Sequence, residues 1–387
     1  MVALVLRLSA AASLPLPLAG DASGYDGFGA LFAEHGRLLD VDGSPLTYRP
    51  PGYPFFVGVV YSVFGHKPHL VVVLQALLDT ALVAFIYFFL QSRYSSRVAL
   101  LAAAAYAVSP AAIFSAGSLL SESVGTFMLL LCAALTLRAG ESDRAGSAAF
   151  AGLLAAALTL TRSVMLFFPG VLVASILAVT ALSPGRRMRL VGVLCLSYVA
   201  GLTPWLFRNA AVLGKPMLST NAGDTLYSSW VHPPGHLWGN NTRDEVTAQA
   251  QHMGAVESDS FLFKKALEHL RRSPGVAVGL MPEKFALLVA PFDWEIVGRG
   301  RQRSWNLHWP LMALLAAWAL RDRRLRMSPA GVLVWVGFGS LLLTSTMFYG
   351  SPRFRVPFEA LLVLPAAVAL DGLWSRRASR VAMESRS

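Results

Sequence analysis

Long runs of apolar residues without a charge constrain most strongly how this chain can fold. Residues 99–120 and 164–184 contain no Asp, Glu, Lys or Arg. A run of roughly 18 or more apolar residues is long enough to cross a hydrocarbon layer of about 30 Å. The chain is 55% hydrophobic and 14% charged, more apolar than a soluble domain of its size. The sequence therefore predicts an integral membrane protein.

The net charge of +11 comes from basic residues that cluster in alternate short loops. The clusters are Arg93 and Arg97; Arg138 and Arg144; Arg186, Arg187 and Arg189; Arg321, Arg323, Arg324 and Arg326; and Arg376, Arg377 and Arg380. This alternation is the positive-inside pattern, which predicts that these loops are cytoplasmic. The basicity therefore indicates membrane orientation, and no nucleic-acid partner is expected.

The apolar runs predict an all-α polytopic membrane protein, a single domain over residues 1–387 with about ten transmembrane helices. The predicted spans are residues 2–20, 69–90, 98–116, 123–138, 146–161, 163–183, 190–207, 304–320, 328–348 and 356–374. With the basic loops inside, both chain ends are cytoplasmic. Residues 21–68 (the first segment) and 208–303 (the long segment) are then extracytoplasmic.

The first predicted span is the least regular, because Arg7, Pro15 and Pro17 interrupt it. A signal peptide is the alternative interpretation. We favour an uncleaved span in which Arg7 lies near the cytoplasmic end and extends its guanidinium toward water.

Two apolar stretches outside the spans are predicted to contact the membrane differently. Residues 53–64 are too short to cross it, which suits a helix lying on the membrane surface. Residues 274–291 are interrupted by Pro282, Glu283 and Lys284, so we expect a surface-lying or re-entrant stretch.

With this topology, charged residues that border the spans gather on the extracytoplasmic side. They are Asp21, Asp26, Glu122, Arg162, Arg208, Lys284, Arg353 and Arg355. Charge close to the hydrocarbon is expensive and tends to be functional or paired. A carboxylate can deprotonate an acceptor hydroxyl, while arginines bind a phosphate leaving group. The set therefore suits group transfer from a lipid phosphate.

The sequence contains no P-loop and no Gly-x-Gly-x-x-Gly in a strand–helix context. A membrane transferase without a nucleotide site needs a donor that is already activated and linked to a lipid. The two cysteines, Cys132 and Cys195, lie inside apolar runs and predict neither a disulfide framework nor a cysteine metal site.

A series of short motifs occurs in order between about residues 15 and 360. They are Asp21-Ala-Ser-Gly-Tyr25-Asp26, Tyr48-Arg49-Pro50-Pro51-Gly52-Tyr53-Pro54, Val63-Phe64-Gly65, Leu120-Ser121-Glu122, Leu160-Thr161-Arg162, Pro204-Trp205-Leu206-Phe207-Arg208-Asn209 and Arg353-Phe354-Arg355-Val356-Pro357. In these motifs the sequence resembles the GT-C glycosyltransferases of the dolichyl-phosphate-mannose protein mannosyltransferase type, including the bacterial aminoarabinose transferases.

The resemblance implies an inverting transfer of a sugar from a polyprenyl-phosphate carrier at the extracytoplasmic face of the cell membrane. The acceptor would be a glycan, a lipid or a protein. The family's catalytic acid maps onto Asp21, although many relatives have Asp-Glu where this chain has Asp21-Ala22. On a helix, Asp26 would lie about 140° from Asp21. Only one of the two is therefore expected to be the base, and we favour Asp21.

The remaining members of the predicted site are substrate-binding candidates. They are Tyr25, Arg49, Tyr53, Glu122, Arg162, Arg208, Lys284, Arg353 and Arg355. Arg353 and Arg355 are expected on a loop, where their spacing offers two donors to one anion. The sequence leaves open whether a divalent metal takes part.

Simpler interpretations stand beside these roles. Asp21 could be a helix N-cap, and Glu122 could merely cap the fourth span behind Ser121. Asp79, about mid-membrane in the second span, is expected to make an interhelical hydrogen bond or to pair with a buried base; proton or ion transport is its alternative role. A transporter or flippase of a lipid-linked glycan is the alternative for the whole chain, followed by a non-catalytic membrane subunit. We find no internal repeat of the kind common in transporters.

Overall fold

A computed structural model of the chain describes residues 1–14, 17–231, 244–297, 300–348 and 350–384. Most of them are helical, because an apolar chain without water must satisfy its backbone hydrogen bonds within each segment. The predicted all-α class is confirmed. Within the described ranges, the exception is a two-stranded hairpin that the sequence analysis did not predict.

Three helices form the N-terminal part: α1 (Val2–Ala12), α2 (Asp21–His35) and α3 (Gly52–Phe64). Helix α2 ends at Gly36, whose φ of 65° is accessible to glycine without strain. Glycines also allow α2 and α3 to approach closely, because a Cβ on Gly58 would lie 2.5 Å from Cδ1 of Phe32. The close packing holds α2, and with it Asp21, in a defined position over α3.

The central helices follow one another through short turns. They are α4 (Pro68–Gln91), α5 (Ser96–Ala107), α6 (Pro110–Ala116), α7 (Glu122–Ser142), α8 (Ala145–Thr161), α9 (Phe168–Leu177) and α10 (Pro184–Leu213), with a 3₁₀ turn at Ser163–Met165. Proline at the first helical position begins several of them, as at Pro110 and Pro184, where the missing N–H has no intrahelical partner to lose.

The long segment carries four helices and the hairpin. They are α11 (Ala222–Trp230), α12 (Glu245–Ala250), α13 (Ala255–Arg272), α14 (Pro274–Val289), β1 (Phe292–Val297) and β2 (Gly300–Trp305). The strands are antiparallel, with Phe292 opposite Trp305. The apolar stretch that we predicted over residues 274–291 is thus a helix, and it continues through Pro282.

The C-terminal helices are α15 (His308–Ala319), α16 (Arg323–Arg326), α17 (Pro329–Met347) and α18 (Pro352–Glu384). By length and apolar character, the described helices that can cross a membrane alone are α4, α7, α10, α17 and residues 352–375 of α18. Helices α5 and α6 together make a sixth candidate, bent by 55°. Helices α1, α8 and α9 are apolar but shorter, so the count of ten spans stays a prediction.

The apolar core lies in three clusters. The largest joins α4–α10, α14, α15, α17 and α18, a second joins α1–α4 and the start of α7, and a third holds α11–α14 together.

The prediction that Arg7 extends its guanidinium toward water is wrong, because the side chain is completely buried. Its Nε donates to Oδ2 of Asp79, and its Nη1 donates to the carbonyl of Ala107 at 2.8 Å. The hydroxyl of Tyr106 donates to the other oxygen of Asp79 at 2.5 Å. The expectation that Asp79 pairs with a buried base is confirmed, and the pair joins α1 to α4 and α5.

We expect Asp79→Leu and Arg7→Met to lower the free energy of unfolding by about 3–5 kcal/mol each, because either change leaves a charge buried without its partner. The double variant should lose less than either single one. Thermal unfolding in detergent measures both effects. Glu141→Gln, which breaks the partly exposed pair with Arg93, is the control and should lose about 1 kcal/mol or less. Additive losses in the double variant would contradict the pairing.

Candidate active site

Two arginines hold the carboxylate of Asp21, one on each oxygen. Arg49 Nη2 donates to Oδ1 at 2.7 Å, and Arg353 Nη1 donates to Oδ2 at 2.8 Å. Burial by itself would raise the pKa of Asp21, but Arg353 and Arg49 outweigh it and lower the pKa to about 2. Helix α2 has Gly20 as its N-cap residue, so Asp21 is not the cap that the simpler interpretation proposed.

Glu122, at the start of α7, is the second carboxylate that binds Arg353. Its Oε1 accepts from Arg353 Nε and lies 3.0 Å from Nη1 of Arg162. The same Nη1 donates to the hydroxyl of Ser121 at 2.9 Å. Oε2 of Glu122 is buried and has no hydrogen-bond partner among the described residues. Its side chain does not cap α7.

Asp21, Arg49, Glu122, Arg162 and Arg353 thus form one charged cluster (the arginine–carboxylate cluster). Three guanidinium groups against two carboxylates leave it with one net positive charge. Such a cluster can accept a monoanion in its exposed part, where Asp21, Arg49 and Arg353 each keep about 30% of their side-chain surface accessible. Glu122 and Arg162 form its buried floor, with 1% and 5% accessible.

A glycine makes room for Arg162 beside α7. A Cβ on Gly125 would lie 2.5 Å from Cδ of Arg162, so any larger residue would displace the arginine. Sequence reasoning missed this glycine, because nothing in a single sequence distinguishes it from other helical glycines.

Aromatic residues line the Arg49 side of the cluster. The guanidinium of Arg49 lies over the ring of Tyr25, 5.4 Å from its centroid. Tyr25 in turn packs edge-on against Tyr53 at 4.6 Å. The hydroxyl of Tyr53 donates to Oε1 of Gln75 at 2.5 Å. Tyr25 therefore contacts a member of the cluster, while Tyr53 supports it from beneath.

Asp26 lies apart from the cluster, as the helical spacing predicted. It accepts a hydrogen bond from the hydroxyl of Tyr61 at 2.5 Å and lies 2.8 Å from Nε2 of His66. The two acids of α2 thus have different partners.

Arg208 contacts the backbone just before Arg49 and lies outside the cluster. Its Nη1 donates to the carbonyl of Leu46 at 2.8 Å. The next residues are held by the long segment, since the amide of Thr220 donates to Thr47 and the hydroxyl of Tyr48 donates to Asp224. Arg208 therefore helps to position the loop that carries Arg49.

We expected Arg353 and Arg355 to bind one anion together from a loop. The structure shows that they do not. Both lie in α18, where a separation of two residues places them on roughly opposite faces. Arg355 is fully buried; it donates to Glu359 at 2.6 Å and to the carbonyl of Leu288 at 2.9 Å. Helical geometry thus assigns Arg353 alone to the cluster.

Lys284 is also fully buried and lies outside the cluster. Its ammonium donates to Ser229 and to the carbonyls of Thr346 and Phe348. Burial without a compensating carboxylate lowers the pKa of Lys284 to about 7.

The described residues do not assemble a metal site. No group of three or more His, Cys, Asp or Glu side chains among them is arranged to hold an ion. Arginines bond both oxygens of Asp21, and they bond Oε1 of Glu122 but not its Oε2.

Comparison with known proteins identifies the fold. The sequence profile of the dolichyl-phosphate-mannose-protein mannosyltransferase family matches residues 48–205. The matched stretch includes Arg49, Glu122 and Arg162 but neither Asp21 nor Arg353. No curated protein matches the chain at a significant level.

The solved structures that this chain resembles are distant from it in sequence. The oligosaccharyltransferase AglB from Archaeoglobus fulgidus, in complex with an inhibitory peptide and a dolichol-phosphate, is 13% identical with a TM-score of 0.57, over 100% of this chain and 50% of that one. The same organism's enzyme tethered to an acceptor peptide is 13% identical with a TM-score of 0.53, over 97% and 49%. ArnT from Cupriavidus metallidurans bound to undecaprenyl phosphate is 16% identical with a TM-score of 0.47, over 95% and 76%.

The chain is therefore a multi-pass membrane protein with the GT-C fold. The predicted resemblance to GT-C glycosyltransferases of the dolichyl-phosphate-mannose protein mannosyltransferase type is confirmed. The chain spans about half the length of AglB.

We expect Gly125→Ala to destabilise the protein by about 1–3 kcal/mol, because its methyl group would force Arg162 away from Glu122 and Ser121. Gly192→Ala in α10 is the matched control, since a Cβ there would meet nothing within 4 Å. Thermal unfolding of the two variants in the same detergent compares them. Equal stability of both would show that Arg162 is not held against α7.

Proposed function

We propose that this protein transfers a sugar from a polyprenyl-phosphate donor to an acceptor hydroxyl or amine, with Asp21 as the base and with inversion at the anomeric carbon. The observation that carries the proposal is the pair of salt bridges from Arg49 and Arg353 to Asp21, within a cluster that has one net positive charge. This arrangement combines a carboxylate with the groups that bind a phosphate best.

The charge of the cluster suits the donor. A sugar linked through a phosphodiester carries one negative charge, which would neutralise the cluster. Arg353 uses Nε and Nη1 for its carboxylate partners, and no partner within the described ranges bonds its Nη2. That nitrogen, together with the remaining donors of Arg49, can therefore bind phosphate oxygens before Asp21 is displaced.

Phosphate binding would also prepare the base. As the anion draws Arg49 and Arg353 toward itself, Asp21 loses the positive charge that lowers its pKa, and the pKa rises toward its ordinary value. Asp21 then takes the proton of the acceptor. The acceptor oxygen or nitrogen attacks the anomeric carbon from the side opposite the phosphate, and the sugar–phosphate bond breaks.

The leaving polyprenyl phosphate gains negative charge during this step. Arg49 and Arg353 are already placed to stabilise this charge. Preorganised positive charge lowers a barrier most effectively where negative charge develops in the transition state. A single displacement inverts the anomeric centre, because attack and departure take place on opposite faces.

Two further observations support a lipid-linked donor. AglB, which shares the fold, has been solved with a dolichol-phosphate. The charged cluster also lies at the opposite ends of α7 and α18 from the basic loops, in keeping with an extracytoplasmic site of a cell-membrane protein. Membrane lipid would then surround the donor's tail. The acceptor is a glycan, a lipid or a protein that presents a hydroxyl or an amine.

The transporter alternative draws no support from Asp79. Both of its oxygens are occupied by Arg7 and Tyr106, so the carboxylate serves interhelical packing in this structure.

Asp21→Asn should lower kcat by about 10²- to 10⁴-fold, because the base is lost. The same change should leave binding of undecaprenyl phosphate equal or tighter, because the carboxylate no longer competes for Arg49 and Arg353. The protein in lipid nanodiscs, supplied with a panel of polyprenyl-phosphate sugars, gives kcat from the release of polyprenyl phosphate. Lipid binding is measured separately with undecaprenyl phosphate.

Asp26→Asn is the comparison, since it makes the same change on the same helix outside the cluster. If Asp26→Asn lost turnover and Asp21→Asn retained it, the catalytic base would be Asp26 and not Asp21. A folded wild-type protein that neither binds undecaprenyl phosphate nor releases it from any sugar in the panel would overturn the proposed function.

A further inference from the structure

The ammonium of Lys284 binds the end of α17 and touches no member of the arginine–carboxylate cluster. It donates to the carbonyl of Phe348 at 2.7 Å, to that of Thr346 at 3.3 Å and to the hydroxyl of Ser229 at 2.7 Å. An ammonium has three protons, so these acceptors use all of them. A bound phosphate would have to break one of these contacts to reach Lys284.

The long segment satisfies this helix end almost completely. Trp230 Nε1 donates to the carbonyl of Met347 at 2.7 Å, and its ring lies 3.2 Å below the Lys284 ammonium. The last carbonyls of a helix have no intrahelical partner and form its negative end. Helices α11 and α14 together therefore fix the point where the chain leaves α17.

Gly350 and Arg353 follow this helix end closely in the sequence. Gly350 packs so closely against the carbonyl of Lys284 that a Cβ there would clash with it. Arg353 follows three residues later and reaches Asp21 and Glu122. Two residues further on, Arg355 donates to the carbonyl of Leu288, one turn beyond Lys284 on α14. Helix α14 thus holds the chain on both sides of Arg353.

We infer that Lys284 is a positioning residue for Arg353: through the end of α17 it fixes where the Arg353 guanidinium stands relative to Asp21 and Glu122. This inference rests on the proposed function, in which Arg353 binds the donor phosphate. It replaces the role of direct phosphate ligand that the sequence suggested for Lys284.

A double-mutant cycle separates the two roles. The measurement is the affinity of the purified full-length protein in nanodiscs for undecaprenyl phosphate. We expect Lys284→Met to weaken binding about tenfold, and Arg353→Gln to weaken it by a similar or larger factor. The double variant should bind no more weakly than Arg353→Gln alone, because Lys284 acts only through Arg353. If the two losses multiply, Lys284 contributes independently of Arg353 and the inference is overturned.

Two further variants test whether the loss of binding comes from the contact between Lys284 and the end of α17. Lys264→Met makes the same change on the exposed surface of α13 and should leave binding unchanged. Gly350→Ala keeps Lys284 but pushes the turn away from α14, so it should reproduce the loss seen in Lys284→Met. Wild-type affinity in both Lys284→Met and Gly350→Ala would overturn the inference.

A second readout does not depend on the lipid. Hydrogen exchange of the amides of residues 353–356 should be faster in Lys284→Met than in Lys264→Met. Thermal unfolding curves check that both variants are folded. Absence of undecaprenyl phosphate binding in the wild type would overturn the proposed function, whereas unchanged exchange would overturn the positioning role. The two failures are therefore distinguishable.

Discussion

The position of one guanidinium, that of Arg353, determines whether the site exists. It joins Asp21 and Glu122, which are 332 and 231 residues away along the chain. The contact brings together α2, α7 and α18, so the site is assembled only when the N- and C-terminal parts of the protein are packed. Removing one partner from its buried floor, Glu122 or Arg162, leaves another charge uncompensated, which costs far more than the pair contributes by itself. The cluster is therefore held together by the penalty for disrupting it as well as by attraction.

Local patterns predicted much of the fold, because crossing a membrane requires a hydrophobic run that is visible in the sequence. Helices lie within the predicted spans, although α1 ends at Ala12 and the span over residues 98–116 is two helices bent by 55°. Asp21, Glu122, Arg162 and Arg353 were all identified as charges that border the predicted spans. The partners of these residues could not be predicted. Arg353 and Arg355 have the same side chain and almost the same position, and only the start of α18 at Pro352 gives them opposite faces. A difference of a few residues in a helix boundary thus decides which arginine belongs to the site.

Arg7 illustrates a second limit. Considered alone, a charge near the end of a short span is best placed in the interface, so extension toward water was the reasonable prediction. Considered together, Arg7 and Asp79 are two opposite charges in apolar helices, and pairing satisfies both without solvent. Which of these solutions applies depends on how α1 packs against α4 and α5, and that information is not local. A single sequence shows both unusual residues but not their contact.

In the proposed reaction, an ion pair also serves a catalytic carboxylate. A base must be ionised before it acts, and Arg49 and Arg353 keep Asp21 ionised while reducing its affinity for a proton. In the proposed reaction, an arriving phosphate would offer these arginines another anion, so the substrate itself would weaken the interaction that restrains Asp21 in the resting state. This exchange requires guanidinium groups that move by a small distance from a fixed backbone. Leu46 to Tyr48 are bound by the long segment next to Arg49, and Thr346 to Phe348 are bound by it before Arg353. The long segment thus holds the chain next to both arginines, as the proposed exchange of partners requires.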